Sequence, residues 1–159
     1  MSENINKLIK FSNFLADEAR KISMNYFKKK IRISSKLNKG FDPVTIADIS
    51  IQKKINKIIE DNYPFHSILG EEESRLKKSD YEWCIDPIDG TKSFIQGVPL
   101  WGTLISLSKN GNIILGIADI PALDERYIGY SDRSYKIIKG KKTLLKVKRS
   151  DNISNSILN

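Results

Sequence analysis

The sequence predicts an α+β fold in which two N-terminal helices pack on a largely antiparallel sheet. Three observations carry this reading. Apolar positions recur with a helical period up to Ile59, they then shorten into brief strand-like runs, and Asn110-Gly111 separates two of those runs as a hairpin signal.

The first helix rests on Ile5, Leu8, Ile9, Ser12, Leu15, Ala16, Ala19, Ile22, Ser23 and Tyr26, which share one face of a helix from about Asn4 to Lys28. Ile31, Ile33, Ser35 and Leu37 alternate as a strand does, and Gly40 ends the run. Thr45 stands where an N-cap opens a second helix, whose buried stripe is Ile51, Ile55, Ile58 and Ile59, with Pro64 beyond its end. Short apolar runs follow at Ser67–Leu69 and Trp83–Ile85. Leu104–Leu107 and Ile113–Ile117 flank the Asn-Gly turn, and further strands are expected at Arg126–Tyr130 and Tyr135–Ile138. Residues 1–149 read as one metal- and phosphate-binding domain, and 150–159 as a polar linker into the start of a further domain.

At 159 residues the chain is long enough for a real core, since a domain of this size buries about 70% of its unfolded surface. A hydrophobic share of 40% with 29% charged residues is that of a globular protein. No run of 18 apolar residues is present, so no membrane partner is expected. The polar start Met1-Ser2-Glu3-Asn4 lacks a secretory pattern, and the single cysteine, Cys84, excludes an internal disulfide. A cytoplasmic protein is expected.

The formal net charge of +8 raises the question of nucleic acid. Of the 27 basic residues 21 are lysine, scattered along the whole chain in a sequence rich in isoleucine and asparagine. That distribution points to biased codon usage, and no nucleic-acid motif accompanies it. A small anionic substrate is the better use of the field.

Three acidic groups follow apolar runs. Gly70-Glu71-Glu72-Glu73 comes directly after Ser67–Leu69, and Asp86-Pro87-Ile88-Asp89-Gly90-Thr91 directly after Trp83–Ile85; Asp48 follows Thr45 in the stretch that begins Asp42-Pro43-Val44. Converging carboxylates repel one another unless cations neutralise them. Hard oxygen donors of this kind suit Mg²⁺. Pro87 fixes one backbone torsion and withholds an N–H, which can turn Asp86 and Asp89 toward one site with the Ile88 carbonyl as an extra donor. Gly90 and Thr91 suit a helix start, whose free N–H groups bind phosphate oxygens.

These pieces resemble the inositol monophosphatase family of metal-dependent phosphatases. The matching text is Asp42-Pro43-Val44-Thr45-Ile46-Ala47-Asp48, Leu69-Gly70-Glu71-Glu72 and Trp83-Cys84-Ile85-Asp86-Pro87-Ile88-Asp89-Gly90-Thr91, in the family's order. Downstream, Thr91–Ile95, Pro99–Ile105, Leu115–Pro121 and Glu125–Gly129 are closer to its histidinol-phosphate phosphatase branch. The resemblance implies the N-terminal domain of the inositol monophosphatase and fructose-1,6-bisphosphatase-like fold. It implies a phosphomonoesterase using two or three Mg²⁺ ions on a small phosphorylated metabolite, L-histidinol phosphate first and a myo-inositol monophosphate second. A catalytically silent fragment is the reading from another class.

The roles it implies fall on matching positions. Glu71, Asp86, the Ile88 carbonyl and Asp89 would hold metal, with Asp86 shared between two ions. Thr91 paired with Asp48 would orient and activate the attacking water, and the N–H groups of Gly90 and Thr91 would hold the phosphate. The family continues into a second domain whose Trp-Asp-x-Ala motif completes the second metal site. Neither Trp83 nor Trp101 precedes an aspartate, so that site is expected to be one ligand short here. A homodimer or larger assembly is implied for the full-length form. Beside these, Cys84 is expected as buried strand filling, His66 and Trp101 as structural, and Lys92, Glu72 and Glu73 as surface charges.

Overall fold

The structure, a computed structural model, describes residues 4–29, 33–35 and 43–147. The outer parts of the expected first strand (Ile31, Leu37 and Gly40), Asp42 and the stretch 150–159 lie outside the described residues.

Helix α1 spans Ile5–Tyr26. Asn4 caps it by accepting the Asn6 N–H at 2.9 Å, and Leu8, Leu15, Ala16 and Ala19 form its buried stripe. Strands β1 (Ile33–Ser35) and β2 (Pro43–Thr45) pair antiparallel and lead into α2 (Ile46–Asn62). Thr45 and Asp48 form a reciprocal capping box at that helix start. Ile51, Ile55, Ile58 and Ile59 turn inward, as their spacing predicts.

The main sheet runs β3 (Ser67–Gly70), β4 (Tyr81–Asp89), β5 (Gly102–Lys109), β6 (Asn112–Ile120), β7 (Glu125–Tyr130), β8 (Arg133–Ile138) and β9 (Lys141–Leu144), in that spatial order. β3 and β4 are parallel, and every later neighbour is antiparallel. The β5–β6 hairpin turns at Asn110-Gly111, both at positive φ (49° and 77°), as a tight turn of this kind requires. A short helix α3 (Thr91–Gln96) leaves the end of β4.

Both long helices lie on one face of the sheet. Trp83, Ile85, Ile105, Leu107, Leu115, Ile117 and Ile128 point at them and form one continuous core with their stripes. Phe11 of α1 meets the Trp83 ring edge-on at 5.7 Å between centroids. The other face carries Cys84, Leu104, Ser106, Gly116 and Ala118 around a shallow, mostly apolar hollow of about 590 Å³.

That alternation corrects one expectation. Cys84 is exposed rather than buried, because Trp83 and Ile85 both face the helices and a period of two sends the residue between them to the opposite side. His66 and Trp101 are buried as expected. His66 stacks between Tyr63 and Tyr81, at 4.7 Å from each, and accepts the Trp83 indole N–H at 3.0 Å.

Candidate metal and phosphate site

The parallel pairing of β3 and β4 brings the acidic segments together. Register sets Gly70 opposite Ile85, and the Glu71 N–H donates to the Ile85 carbonyl at 3.0 Å. Glu71 therefore leaves β3 beside Asp86. The turn after it is tight: a Cβ on Gly70 would collide with the Glu73 carbonyl and the Gln52 amide. Two buried side chains of α2 support that turn, with Gln52 donating to Asn56 at 2.8 Å and Asn56 donating to the Glu73 carbonyl at 3.0 Å. Nothing in the sequence pattern marked this polar ladder, because Gln52 and Asn56 interrupt the apolar stripe as ordinary polar helix residues would.

Asp86 and Asp89 are three residues apart, so on a regular strand they would face opposite sides. A bulge removes that difficulty. Asp86 pairs with Leu104 and Asp89 with Gly102, so β4 advances three residues while β5 advances two. Asp86 and Asp89 consequently line the same cavity of about 250 Å³, together with Glu71, Ile88, Gly90, Thr91 and Lys92. The Ile88 side chain is buried, which leaves its carbonyl as the donor it can offer. Lys92 is exposed at the rim.

Gly90 turns the chain out of β4 at φ 86°, a conformation that favours glycine, and its carbonyl accepts the Phe94 N–H at 3.1 Å in the first turn of α3. The Thr91 hydroxyl donates to the Ile88 carbonyl at 3.0 Å. Asp48 does not line this cavity. It is buried at the start of α2, where it accepts the Thr45 N–H at 2.9 Å and the Thr45 hydroxyl.

The electrostatics favour a cation. Burial pushes the Asp86 carboxyl up to about 8, a hydrogen bond and the charge of Glu71 push the same way, and Asp89 adds a further repulsion. One Asp86 oxygen, Oδ1, is buried with no hydrogen-bond partner. Among the described residues no three acidic, imidazole or thiol side chains form a ready-made cage. Two repelling carboxylates and an orphaned oxygen, with a carbonyl close by, are nevertheless a donor set of hard oxygens suited to Mg²⁺.

Comparison with known proteins shows the family. The family model described as "Inositol monophosphatase family" matches residues 4–159, and the chain belongs to that family. It is 45% identical over 128 residues to "Bifunctional phosphatase IMPL2, chloroplastic" of Arabidopsis thaliana, covering 79% of this chain and 36% of that protein. It is 39% identical over 115 residues to "Histidinol-phosphatase" of Chlorobaculum parvum, covering 71% and 44%. The IMPase of Thermotoga maritima superposes with a TM-score of 0.76 at 29% identity, over 92% of this chain and 55% of that one. The chain spans less than half the length of these two curated relatives. No helix among the described residues is long and apolar enough to cross a membrane.

Proposed function

We propose that this chain is the metal-binding part of an Mg²⁺-dependent phosphomonoesterase that acts on L-histidinol phosphate. The observation that supports it most is the bulge at Pro87, which brings Asp86 and Asp89 to one cavity beside Glu71. Glu71, Asp86, the Ile88 carbonyl and Asp89 would hold Mg²⁺. When bound there, Mg²⁺ would neutralise phosphate charge and make water acidic enough to serve as nucleophile.

The chain's own groups supply the remainder. Gly90 and Thr91 would present N–H groups to the phosphate oxygens where α3 begins. The Thr91 hydroxyl would orient the attacking water, with Asp48 as its acceptor; in this structure that hydroxyl donates to the Ile88 carbonyl, and Asp48 accepts from the Thr45 N–H and hydroxyl. The substrate choice draws on the Chlorobaculum relative's name and on the text around Trp101. A myo-inositol monophosphate is the second reading, supported by the family's name and the Thermotoga structure. A cytoplasmic location belongs to the same proposal, although the Arabidopsis relative is called chloroplastic.

The experiment is release of inorganic phosphate from L-histidinol phosphate and from myo-inositol 1-phosphate, with Mg²⁺ and with excess chelator. Mg²⁺-dependent release that favours histidinol phosphate and is lost in Asp89→Asn supports the proposal. Release that persists in chelator or in that variant contradicts it.

A further inference from the structure

A site built on a bulge needs something to hold the bulge. Between Asp86 and Asp89, neither Pro87 nor Ile88 has a partner residue on β5, so the regular ladder is interrupted where the ligands diverge from the strand. Pro87 brings no N–H of its own, and it is buried. Its carbonyl accepts a hydrogen bond from the hydroxyl of Thr103 at 2.8 Å.

Thr103 is fully buried. It sits in β5, hydrogen-bonded on one side to β4 and on the other to β6, where it lies opposite Asp119. Its neighbour Gly102 approaches β6 so closely that a Cβ there would lie 2.8 Å from the Asp119 carbonyl. The hydroxyl is thus carried by backbone that has little room to shift. Packing alone does not call for an oxygen here, since valine has the same branched shape and suits a strand interior.

We propose that Thr103 is a positioning residue for the metal site, its buried hydroxyl fixing the bulge that turns Asp86 and Asp89 toward one cavity. This rests on the reading of that cavity as an Mg²⁺ site. Thr103 touches neither metal nor substrate. It acts through the Pro87 carbonyl, and loss of such a support typically weakens metal affinity about 10-fold or more.

The test is Mg²⁺ titration by calorimetry of the chain and of its Thr103→Val and Thr103→Ser forms, with thermal melts in chelator alongside. The proposal expects about 10-fold weaker binding in Val and wild-type affinity in Ser, the chelator melts serving to show that each form is folded at the titration temperature. Val binding as tightly as wild type, or Ser as weakly as Val, overturns it. Should Val not fold, Thr103→Ala replaces it in the same comparison with Ser, and equal affinities of that pair overturn the proposal. A wild-type chain that takes up no Mg²⁺ overturns the proposed function, whereas tight wild-type binding with an indifferent Val overturns the role of Thr103 alone.

Discussion

Arg20 of α1 grips Asp119 of β6 with two parallel hydrogen bonds, Nε to Oδ2 at 3.0 Å and Nη2 to Oδ1 at 2.8 Å. Arg126 reaches the same carboxylate at 2.8 Å and extends to Asp17 at 2.7 Å and to the Asn13 side chain at 3.0 Å. Asp119 has no exposed surface, so one buried carboxylate ties α1 to two strands. Replacing it by alanine leaves the well-buried Arg126 and the partly buried Arg20 without their counter-charge. Asp119→Ala is expected to cost about 3–5 kcal/mol in urea unfolding. A loss below about 1 kcal/mol, the range of exposed pairs, would mean the network contributes no more than a surface bridge.

Two glycines with similar backbones separate strain from crowding. Gly90 (φ 86°) and Gly111 (φ 77°) both penalise a side chain, by about 1–2 kcal/mol from backbone strain. A Cβ at Gly111 would meet nothing within 4 Å, whereas one at Gly90 would lie 3.0 Å from the Leu100 carbonyl. Gly90→Ala is therefore expected to lower the melting temperature more than Gly111→Ala. It should also impair phosphate release, which Gly111→Ala should leave unchanged. Equal melting shifts would remove the crowding argument.

The Asp86 carboxyl gives a pH signature in the metal-free chain. Its folded value, about 8, lies above the ordinary 3.8, so between those limits the folded state holds a proton that the unfolded state has released. Its contribution to stability is present at low pH and is lost as pH rises through about 8. In chelator, urea unfolding should show that decline, and Asp86→Asn should flatten it. Saturating Mg²⁺ should oppose it, because a bound cation favours the ionised carboxylate. A wild-type chain whose pH dependence matches that of Asp86→Asn would contradict this account.

The helices and the hairpin were legible because each has a local signal. Thr45 caps α2 where a Thr before an apolar stripe should, and Asn110-Gly111 turns where two runs meet. The acidic segments were legible as text, and Pro87 pointed to Asp86 and Asp89 converging, but the pairings that bring this about were not legible. What joins Glu71 to Asp86 is a parallel pairing, and what joins Asp86 to Asp89 is a one-residue bulge, and neither leaves a periodic trace. The face of Cys84 is hidden for a related reason: three consecutive apolar residues do not reveal which face each one takes. β9 leaves no signal in the sequence because Lys141-Lys142-Thr143-Leu144 is an exposed edge strand with no apolar face to alternate. Arg20 and Asp119 stand 99 residues apart, a separation over which no sequence pattern assigns partners.

The central claim is that Glu71, Asp86, the Ile88 carbonyl and Asp89 hold divalent metal in one cavity. The most direct measurement is a crystal of the chain grown with Mn²⁺ in place of Mg²⁺, read by anomalous scattering. The account predicts an anomalous peak in the cavity where β3 and β4 end and α3 begins, with at least two of those carboxylates as direct ligands. A well-ordered cavity without a peak at saturating Mn²⁺, or a peak held by other residues alone, would contradict it.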